Sequence, residues 1–167
     1  MVKWVMSLAR IDFAPAHRQP ATVRVLIASA ASIAGSLIAD AVIVAVGVAI
    51  WPATKGYVHF KFADYGKLTV IGVVIACIAW PIVTRVCAAP RWLFPRLAVL
   101  VTLVLLLPDV YLLYLGQPGT AVAVLMVMHV AIGAVTYAAL VGIAPVRAAV
   151  RGGDAAARQS IEATAQP

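Results

Sequence analysis

The chain has 167 residues, of which 64% are hydrophobic and 11% are charged, and it carries a formal net charge of +7. Because a soluble domain has about 25% charged residues, this composition excludes a water-soluble globular domain and indicates an integral membrane protein. The positive charge does not indicate nucleic-acid binding, since the basic residues flank apolar runs instead of forming one tract.

The N-terminal segment, residues 1–22, is predicted to lie at the membrane interface. Lys3, Ser7 and Arg10 recur at helical spacing, and the opposite side of this stretch is apolar. That pattern is typical of a short amphipathic helix in the headgroup region. Prolines then follow before the first long apolar run and are expected to end this helix.

Four apolar runs are long enough to cross the hydrocarbon core of a bilayer, which takes about 20 helical residues. A spanning segment must satisfy its own backbone polar groups, so each run is predicted to be a helix. The predicted spans are residues 25–51, 68–87, 97–115 and 120–143. They predict an all-α, four-helix transmembrane domain over residues 23–146. Residues 147–167 are polar and rich in small residues, and are predicted to be a disordered cytoplasmic tail.

The positions of the lysines and arginines predict the orientation. Of the 13 basic residues, ten lie before the first span, around the second connection or after the fourth span. Only Lys55, Lys61 and Lys67 lie in the connection between the first two spans. The positive-inside rule therefore predicts a multi-pass protein of the plasma membrane with both termini in the cytoplasm.

The two predicted outer connections differ in length. In the first, "YVHFKF" (residues 57–62) alternates polar and apolar side chains with a period of two, which is compatible with a short strand or an interfacial hairpin. An aromatic belt with Trp51 and Tyr65 at the headgroup level is the preferred interpretation, ahead of a partner-binding surface. The second, "GQPG" (residues 116–119), predicts a tight turn between antiparallel third and fourth spans.

Three ionisable residues lie inside the predicted spans, namely Asp40, Asp109 and His129. With the predicted orientation they lie roughly 17, 9 and 14 Å below the outer surface, at a rise of about 1.5 Å per residue. Pro108 is expected to kink the third span and to open space beside Asp109. Ionisable groups inside a membrane are costly. Their similar depth on three helices predicts one shared site.

Hydroxyl groups extend this predicted site. Ser32 and Ser36 precede Asp40 at intervals of four residues, on a helix face that allows close approach and hydrogen bonding to another helix. On the fourth span, Tyr137 shares one side of the helix with His129. A purely structural role, in which an Asp–His hydrogen bond fixes helix register, is an equally supported interpretation. The predicted polar cluster consists of Asp40, Asp109, His129, Ser36, Ser32 and Tyr137.

No metal, haem or other cofactor is predicted, and no catalytic residue is assigned. Met126 and Met128 flank His129, but methionines usually pack, and the spans hold no second histidine as an axial ligand. Cys77 and Cys87 lie in one predicted helix roughly 15 Å apart, which is too far for a disulfide.

Three segments carry a resemblance to a known family. They are "ACIAWPIVTRV" (residues 76–86), "RLAVLVTLVLLLPD" (residues 96–109) and "TAVAVLMVMHVAIGAV" (residues 120–135). Through them the chain resembles small actinobacterial four-span integral membrane proteins, a family defined by a domain of unknown function. The resemblance implies four helices with both ends inside, and it implies no activity. Asp109 departs from the family pattern, which does not regularly place an acid after that proline.

Three classes of function are open. The favoured class is a non-enzymatic accessory or scaffold subunit of a larger membrane assembly, or a homo-oligomer, because the chain is small and has short loops. Its expected partners are the lipid bilayer and other membrane subunits or further copies of itself, with no nucleic acid. The second is a proton-coupled transporter or ion pathway that uses Asp40, Asp109 and His129. The third, least favoured, is an intramembrane enzyme that uses the same residues as acid, base or metal ligands.

Overall fold

Residues 17–148 are described by the structure, a computed structural model, and they form a four-helix bundle. The helices are α1 (Thr22–Ile50), α2 (Phe62–Val86), α3 (Pro90–Tyr114) and α4 (Gly119–Ile143). Two 3-10 turns, Pro52–Thr54 and Val58–Phe60, lie between α1 and α2. The two-residue strands β1 (His17–Arg18) and β2 (Arg147–Ala148) pair antiparallel. The predicted all-α four-helix fold is confirmed.

All four helices are long and apolar enough to cross a membrane. Each has 25 or 29 residues and contains an 18-residue stretch with a mean hydropathy between 2.0 and 2.4. At about 1.5 Å per residue, 25 residues extend roughly 37 Å, which exceeds the hydrocarbon thickness of about 30 Å. The chain is therefore a multi-pass membrane protein. The end of the bundle that carries β1 and β2 is called the terminal end, and the opposite end is called the loop end.

All four helices begin earlier than the predicted spans, and two of them begin about two turns earlier. Helix α2 begins at Phe62 rather than residue 68, and α3 begins at Pro90 rather than residue 97. Hydropathy locates the hydrocarbon crossing, whereas a helix can continue into the headgroup region, where polar side chains reach water. In α2 the extension places Asp64 in the first turn, where a negative charge is favourable beside the helix N-terminus.

The predicted terminal segments fall largely outside the described residues. The interfacial helix was predicted within residues 1–22, of which only 17–22 are described, as β1 and the start of α1. The disordered tail was predicted over residues 147–167, of which only the two residues of β2 are described. Both predictions stay predictions.

Helix α1 packs most extensively against α4, and the two helices run antiparallel. A Cβ atom added at Gly47 would lie 2.7 Å from Cγ2 of Val124, and one added at Gly35 would lie 2.9 Å from Cγ1 of Val135. Both distances are shorter than van der Waals contact. The absence of a side chain at these two glycines therefore lets the backbones of α1 and α4 approach closely.

We expect Gly47→Ala to lower the free energy of unfolding by about 1–3 kcal/mol, because the added methyl group overlaps a buried, β-branched side chain that cannot rotate away. The matched control is Gly72→Ala on α2, since an added Cβ there meets nothing within 4 Å. That change is expected to be neutral or slightly stabilising. Unfolding in mixed detergent micelles measures both variants, and equal effects would contradict close packing at Gly47.

A four-residue turn joins α3 to α4 at the loop end. Gly116 adopts a φ of 77°, its N–H donates to the Leu113 carbonyl at 3.0 Å, and the Gln117 N–H donates to the Leu112 carbonyl at 3.1 Å. These two bonds form a Schellman motif, in which glycine takes the left-handed conformation at no steric cost. The predicted tight turn and antiparallel hairpin are confirmed.

An aromatic cluster fills the terminal end of the bundle. Trp80 is fully buried, and its ring lies edge-on to Phe94 with centroids 4.6 Å apart. Phe94 in turn stacks on Tyr137 at 5.8 Å. The Trp80 Nε1–H donates to the Ala144 carbonyl at 3.0 Å. Helices α2, α3 and α4 are therefore held together by one tryptophan and its neighbours.

At the terminal end, hydrogen bonds also attach the segments before α1 and after α4 to the bundle. The Gln19 Nε2 group donates to the Thr84 carbonyl, and the Thr84 hydroxyl donates to Gln19 Oε1, both at 2.8 Å. Together with the β1–β2 pairing, these bonds attach the segment before α1 to α2 and to the segment after α4. Nearby, Cys77 and Cys87 are both buried, and no disulfide joins them.

The strand alternative for "YVHFKF" is wrong. The connection between α1 and α2 consists of two 3-10 turns with Gly56 at a φ of 85° between them. A period-two pattern forms a strand only where another strand supplies backbone partners, and this short connection offers none in the part of the chain that the structure describes. The Thr54 hydroxyl instead bonds the Trp51 carbonyl at 2.7 Å and closes the first turn locally.

Candidate functional site

Asp109 and His129 form a contact between α3 and α4 in the loop-end half of the bundle. Nδ1 of His129 lies 2.9 Å from Oδ2 of Asp109. The Asp109 side chain is 5% exposed, whereas that of His129 is 28% exposed. The hairpin turn near Gly116 positions the two helices side by side, so the contact follows directly from the local fold. These two residues are called the Asp109–His129 pair.

A single hydrogen can join this pair in either of two ways. Nδ1 of His129 also lies 3.1 Å from the Leu125 carbonyl, which is aligned to accept its N–H. Asp109 Oδ2, although at ion-pair distance, has no hydrogen bond aligned to it in this arrangement. One N–H cannot donate to the Leu125 carbonyl and to the Asp109 carboxylate at once. The 2.9 Å contact becomes a hydrogen bond when the His129 N–H turns toward the carboxylate, or when a protonated Asp109 carboxyl donates its O–H to Nδ1.

Asp40 is fully buried on the interior face of α1 and is held by α2. Its Oδ2 accepts a hydrogen bond of 2.6 Å from the Thr69 hydroxyl. Its Oδ1 is buried without a hydrogen-bond partner among the described residues. A buried carboxylate oxygen without a partner is costly in a protein interior and more so in a membrane. Asp40 therefore carries an unused acceptor inside the bundle.

Asp40 also belongs to the electrostatic surroundings of the pair. A positive charge on His129 would interact with Asp40 as well as with Asp109. The three ionisable residues predicted from their depth thus lie in one region, although they come from α1, α3 and α4. Direct contact joins only Asp109 to His129, and Asp40 reaches the pair through space.

The other predicted members of the cluster lie farther from the pair. The Ser36 hydroxyl lies 3.4 Å from that of Thr136 on α4, and the Ser32 hydroxyl donates to the Ala28 carbonyl of its own helix at 2.8 Å. Tyr137 stacks on Phe94 in the terminal-end aromatic cluster. Tyr137 follows His129 by two helical turns, roughly 12 Å along the axis. His129 and Tyr137 share one side of α4, but they are too far apart along it to be in contact.

Small and polar side chains form the whole buried face of α1. Three residues that carry a hydroxyl or carboxyl group lie at successive turns between a buried alanine and a buried glycine. Ser36 is one turn from Asp40, roughly 6 Å along the axis. The buried residues of α1 are Ala28, Ser32, Ser36, Asp40 and Gly47. This polar seam runs from the loop-end half toward the terminal end.

The connection between α1 and α2 covers the site at the loop end. Tyr57 and Phe60 pack against a buried cluster formed by Val124, Leu125 and Met128 of α4. The Tyr57 hydroxyl is buried and has no hydrogen-bond partner among the described residues. Burial raises the pKa of the Tyr57 hydroxyl, and the negative charge of Asp109 raises it further. Tyr57 therefore lies close enough to Asp109 to interact with its charge.

Sequence reasoning missed Thr69 and the site role of Tyr57. Threonine is frequent in membrane helices, so nothing in the sequence marked Thr69 as the donor to Asp40. Whether the two residues meet depends on how α1 and α2 are rotated about their axes. The signal for Tyr57 was present, because it lies in the aromatic loop stretch. Tyr57 was interpreted as an interfacial anchor, because a loop has no regular repeat from which a position near Asp109 could be predicted.

We expect Thr69→Val to lower the free energy of unfolding by about 1–3 kcal/mol, because both oxygens of the buried Asp40 carboxylate then lack a partner. Valine has nearly the volume of threonine, so packing is retained. Thr69→Ser, which keeps the hydroxyl, is expected to cost clearly less. Thermal unfolding in detergent compares them, and a Thr69→Val variant as stable as the serine variant would argue against the hydrogen bond.

The arrangement is suited to holding and exchanging a proton. Across residues 17–148, no group of three or more histidine, cysteine, aspartate or glutamate side chains is placed to hold a metal ion. The pair instead provides one acidic and one basic group at proton-transfer distance, inside apolar surroundings.

No family model matches the chain, and no curated protein or solved structure is significantly similar to it. The site therefore rests on its own geometry.

Proposed function

We propose that this membrane protein provides a proton-coupled transport or ion pathway, with the Asp109–His129 pair as the group that takes up and releases the proton. The observation that carries the proposal is the 2.9 Å contact between Nδ1 of His129 and Oδ2 of the buried Asp109. A carboxylate and an imidazole from two helices at this distance can pass one proton between them, and imidazole does so near neutral pH.

The unused hydrogen-bonding capacity of the site supports this function over a purely structural role. A contact that only fixes helix register is expected to be fully satisfied, because a partly satisfied buried network costs free energy. Asp40 Oδ1 lacks a hydrogen bond among the described residues. Acceptors of this kind can receive a proton, or a water molecule that carries one.

The polar seam of α1 supports a path beyond the pair. From Asp40 the seam continues through Ser36, whose hydroxyl faces Thr136, and then to Ser32. Hydroxyl groups at successive helical turns can donate and accept hydrogen bonds in a membrane interior. The proposed direction is from the loop end toward the terminal end.

The proposed location is the plasma membrane, with the terminal end in the cytoplasm. Among the described residues, the arginines lie at the terminal end and the lysines at the loop end, and the arginines are all exposed. The positive-inside rule supports a cytoplasmic terminal end. The arginines concerned are Arg18, Arg24, Arg85, Arg91, Arg96 and Arg147. Four helices are few for a lone carrier, so the proposal includes self-association of several copies.

Reconstitution of the purified full chain into liposomes tests the proposal. A pH-sensitive dye is trapped inside, and a potassium gradient with valinomycin sets a membrane potential that drives protons inward. We expect acidification faster than in protein-free liposomes of the same lipid composition. Equal rates in both preparations, with the protein shown to be folded and inserted, would rule out a proton pathway.

The second candidate is a non-enzymatic accessory or scaffold subunit, and the packing of α3 favours it. Only 6% of the apolar stretch of α3 is buried inside the bundle, compared with 33% for α2 and 28% for α4. Helix α3 is held mainly by α4, so most of its surface faces lipid or another membrane protein. Proton flux separates the candidates, since a subunit of this kind has no need to conduct.

A further inference from the structure

We infer that the connection between α1 and α2 is the water-side entrance to the Asp109–His129 pair, with His59 at its exposed end and the Tyr57 hydroxyl at its buried end. This inference rests on the proposed proton function and deepens it, because it names the residues that admit the proton. It also assigns Tyr57 and His59 a role that packing against the bundle does not require.

The first argument is the way Tyr57 is held. Its ring lies edge-on to Phe60, with centroids 5.3 Å apart, and both rings pack on the α4 cluster around Leu125. His129 lies one turn from Leu125 on the same helix, and its Nδ1 is bonded to the Leu125 carbonyl. Tyr57 and Phe60 therefore pack directly on the part of α4 that carries His129.

The second argument is that the Tyr57 hydroxyl is unused close to the pair. It is buried and lacks a hydrogen-bond partner among the described residues, whereas Asp109 Oδ2 lies 2.9 Å from Nδ1 of His129. The raised pKa of Tyr57 reflects burial first and the charge of Asp109 second. A hydroxyl can donate and accept at once, so it can relay a proton to a carboxylate directly or through one water molecule.

The third argument is the position of His59. Its ring lies edge-on to Tyr57 with centroids 5.3 Å apart, and the residue is exposed at the loop end. Asp109 lies within reach of its charge. Imidazole is the side chain best suited to exchange protons with water near neutral pH. An exposed imidazole is therefore in contact with the Tyr57 ring, and both residues lie close enough to Asp109 to interact with its charge.

The ionisable groups around Asp109 come from several elements. His129 of α4 is in contact, while Tyr57 and His59 of the connection act on it through space. Behind His129 lies Asp40 of α1, whose charge also acts on Tyr65 of α2. Among these, only Tyr57 and His59 belong to the connection at the loop end.

The test is the liposome flux assay on Tyr57→Phe, with Tyr114→Phe as the matched control. Both changes remove one phenolic hydroxyl at the loop end, but Tyr114 is 85% exposed on α3 and takes no part in the site. Phenylalanine keeps the ring that packs on α4, so folding is preserved. We expect Tyr57→Phe to slow proton flux several-fold, His59→Asn to slow it as well, and Tyr114→Phe to match the wild type.

A second measurement does not depend on flux. With ¹³C-labelled tyrosine in the full chain in nanodiscs, the titration of Tyr57 is followed by NMR. The negative charge of Asp109 disfavours the tyrosinate, so Asp109→Asn is expected to lower the Tyr57 pKa. Because burial persists, that pKa should stay above the ordinary value of about 10.

The outcomes separate the inference from the proposed function. If the wild type conducts protons but Tyr57→Phe conducts as well as Tyr114→Phe, the entrance is elsewhere and only the inference fails. An unchanged Tyr57 pKa in Asp109→Asn would likewise overturn it, whatever the flux. If the wild type does not conduct, the proposed function fails and the inference falls with it. Slowed flux in Tyr57→Phe together with a lowered Tyr57 pKa in Asp109→Asn supports both.

Discussion

Asp109→Asn is expected to reduce proton flux through the reconstituted protein to that of protein-free liposomes, while the helical bundle stays folded. Asparagine keeps the size of the side chain and an oxygen that can face His129. It cannot take up and release a proton at neutral pH, so transfer within the pair stops. The effect is a loss of transport rather than a partial reduction, because no other carboxyl group is in contact with His129 among the described residues.

The control for this change is Asp64→Asn. Asp64 lies in the first turn of α2 and its side chain is not part of the pair, so the same loss of charge should leave the flux unchanged. ¹⁵N-histidine NMR in nanodiscs gives an independent readout. The Nδ1 resonance of His129 should move in Asp109→Asn and stay in place in Asp64→Asn. Full flux in Asp109→Asn would remove Asp109 from the path and leave the pair a structural contact.

Trp80→Ala is expected to lower the free energy of unfolding by about 3–5 kcal/mol, the range for removal of a large buried aromatic side chain. Trp80 is fully buried and packs on Phe94, so its loss leaves a cavity among three helices. The change also leaves the Ala144 carbonyl without its donor. Steric trapping or SDS titration in mixed micelles measures the effect.

Two further variants divide this effect into its parts. Trp80→Phe keeps most of the ring volume and removes the N–H, so we expect a smaller cost of about 1–3 kcal/mol. Trp51→Ala removes a tryptophan that is 41% exposed at the loop end and is expected to change stability little. A Trp80→Ala variant no less stable than Trp51→Ala would show that the aromatic cluster does not hold α2, α3 and α4 together.

The sequence predicted the height of the site along the bundle better than it predicted which residues surround the site. Counting residues along the helices predicted that Asp40, Asp109 and His129 lie at similar heights in the bundle, and they lie in one region of it. The short turn between α3 and α4 also required neighbouring helices, which made the contact between Asp109 and His129 predictable. Depth along a helix follows from counting residues, and counting needs no knowledge of packing.

The rotation of each helix about its axis could not be predicted in the same way. Tyr137 was expected beside His129 but packs on Phe94, because a shared helix face still separates the two by two turns. Thr69 was not expected beside Asp40, since which residue of α2 faces α1 depends on how the two helices are rotated about their axes. Such contacts are properties of pairs of helices, and hydropathy describes helices one at a time.

The close packing of α1 against α4 has a consequence for how the protein is made. The first and last helices of the bundle share its largest contact, through Gly47 and Val124 near the loop end. This contact joins segments far apart in the chain, so it can form only after α4 has entered the membrane. The Asp109–His129 pair likewise needs α4. A partly synthesised chain in the bilayer that lacks α4 therefore has an unclosed bundle, and the proposed proton pathway is assembled only when α4 has been inserted.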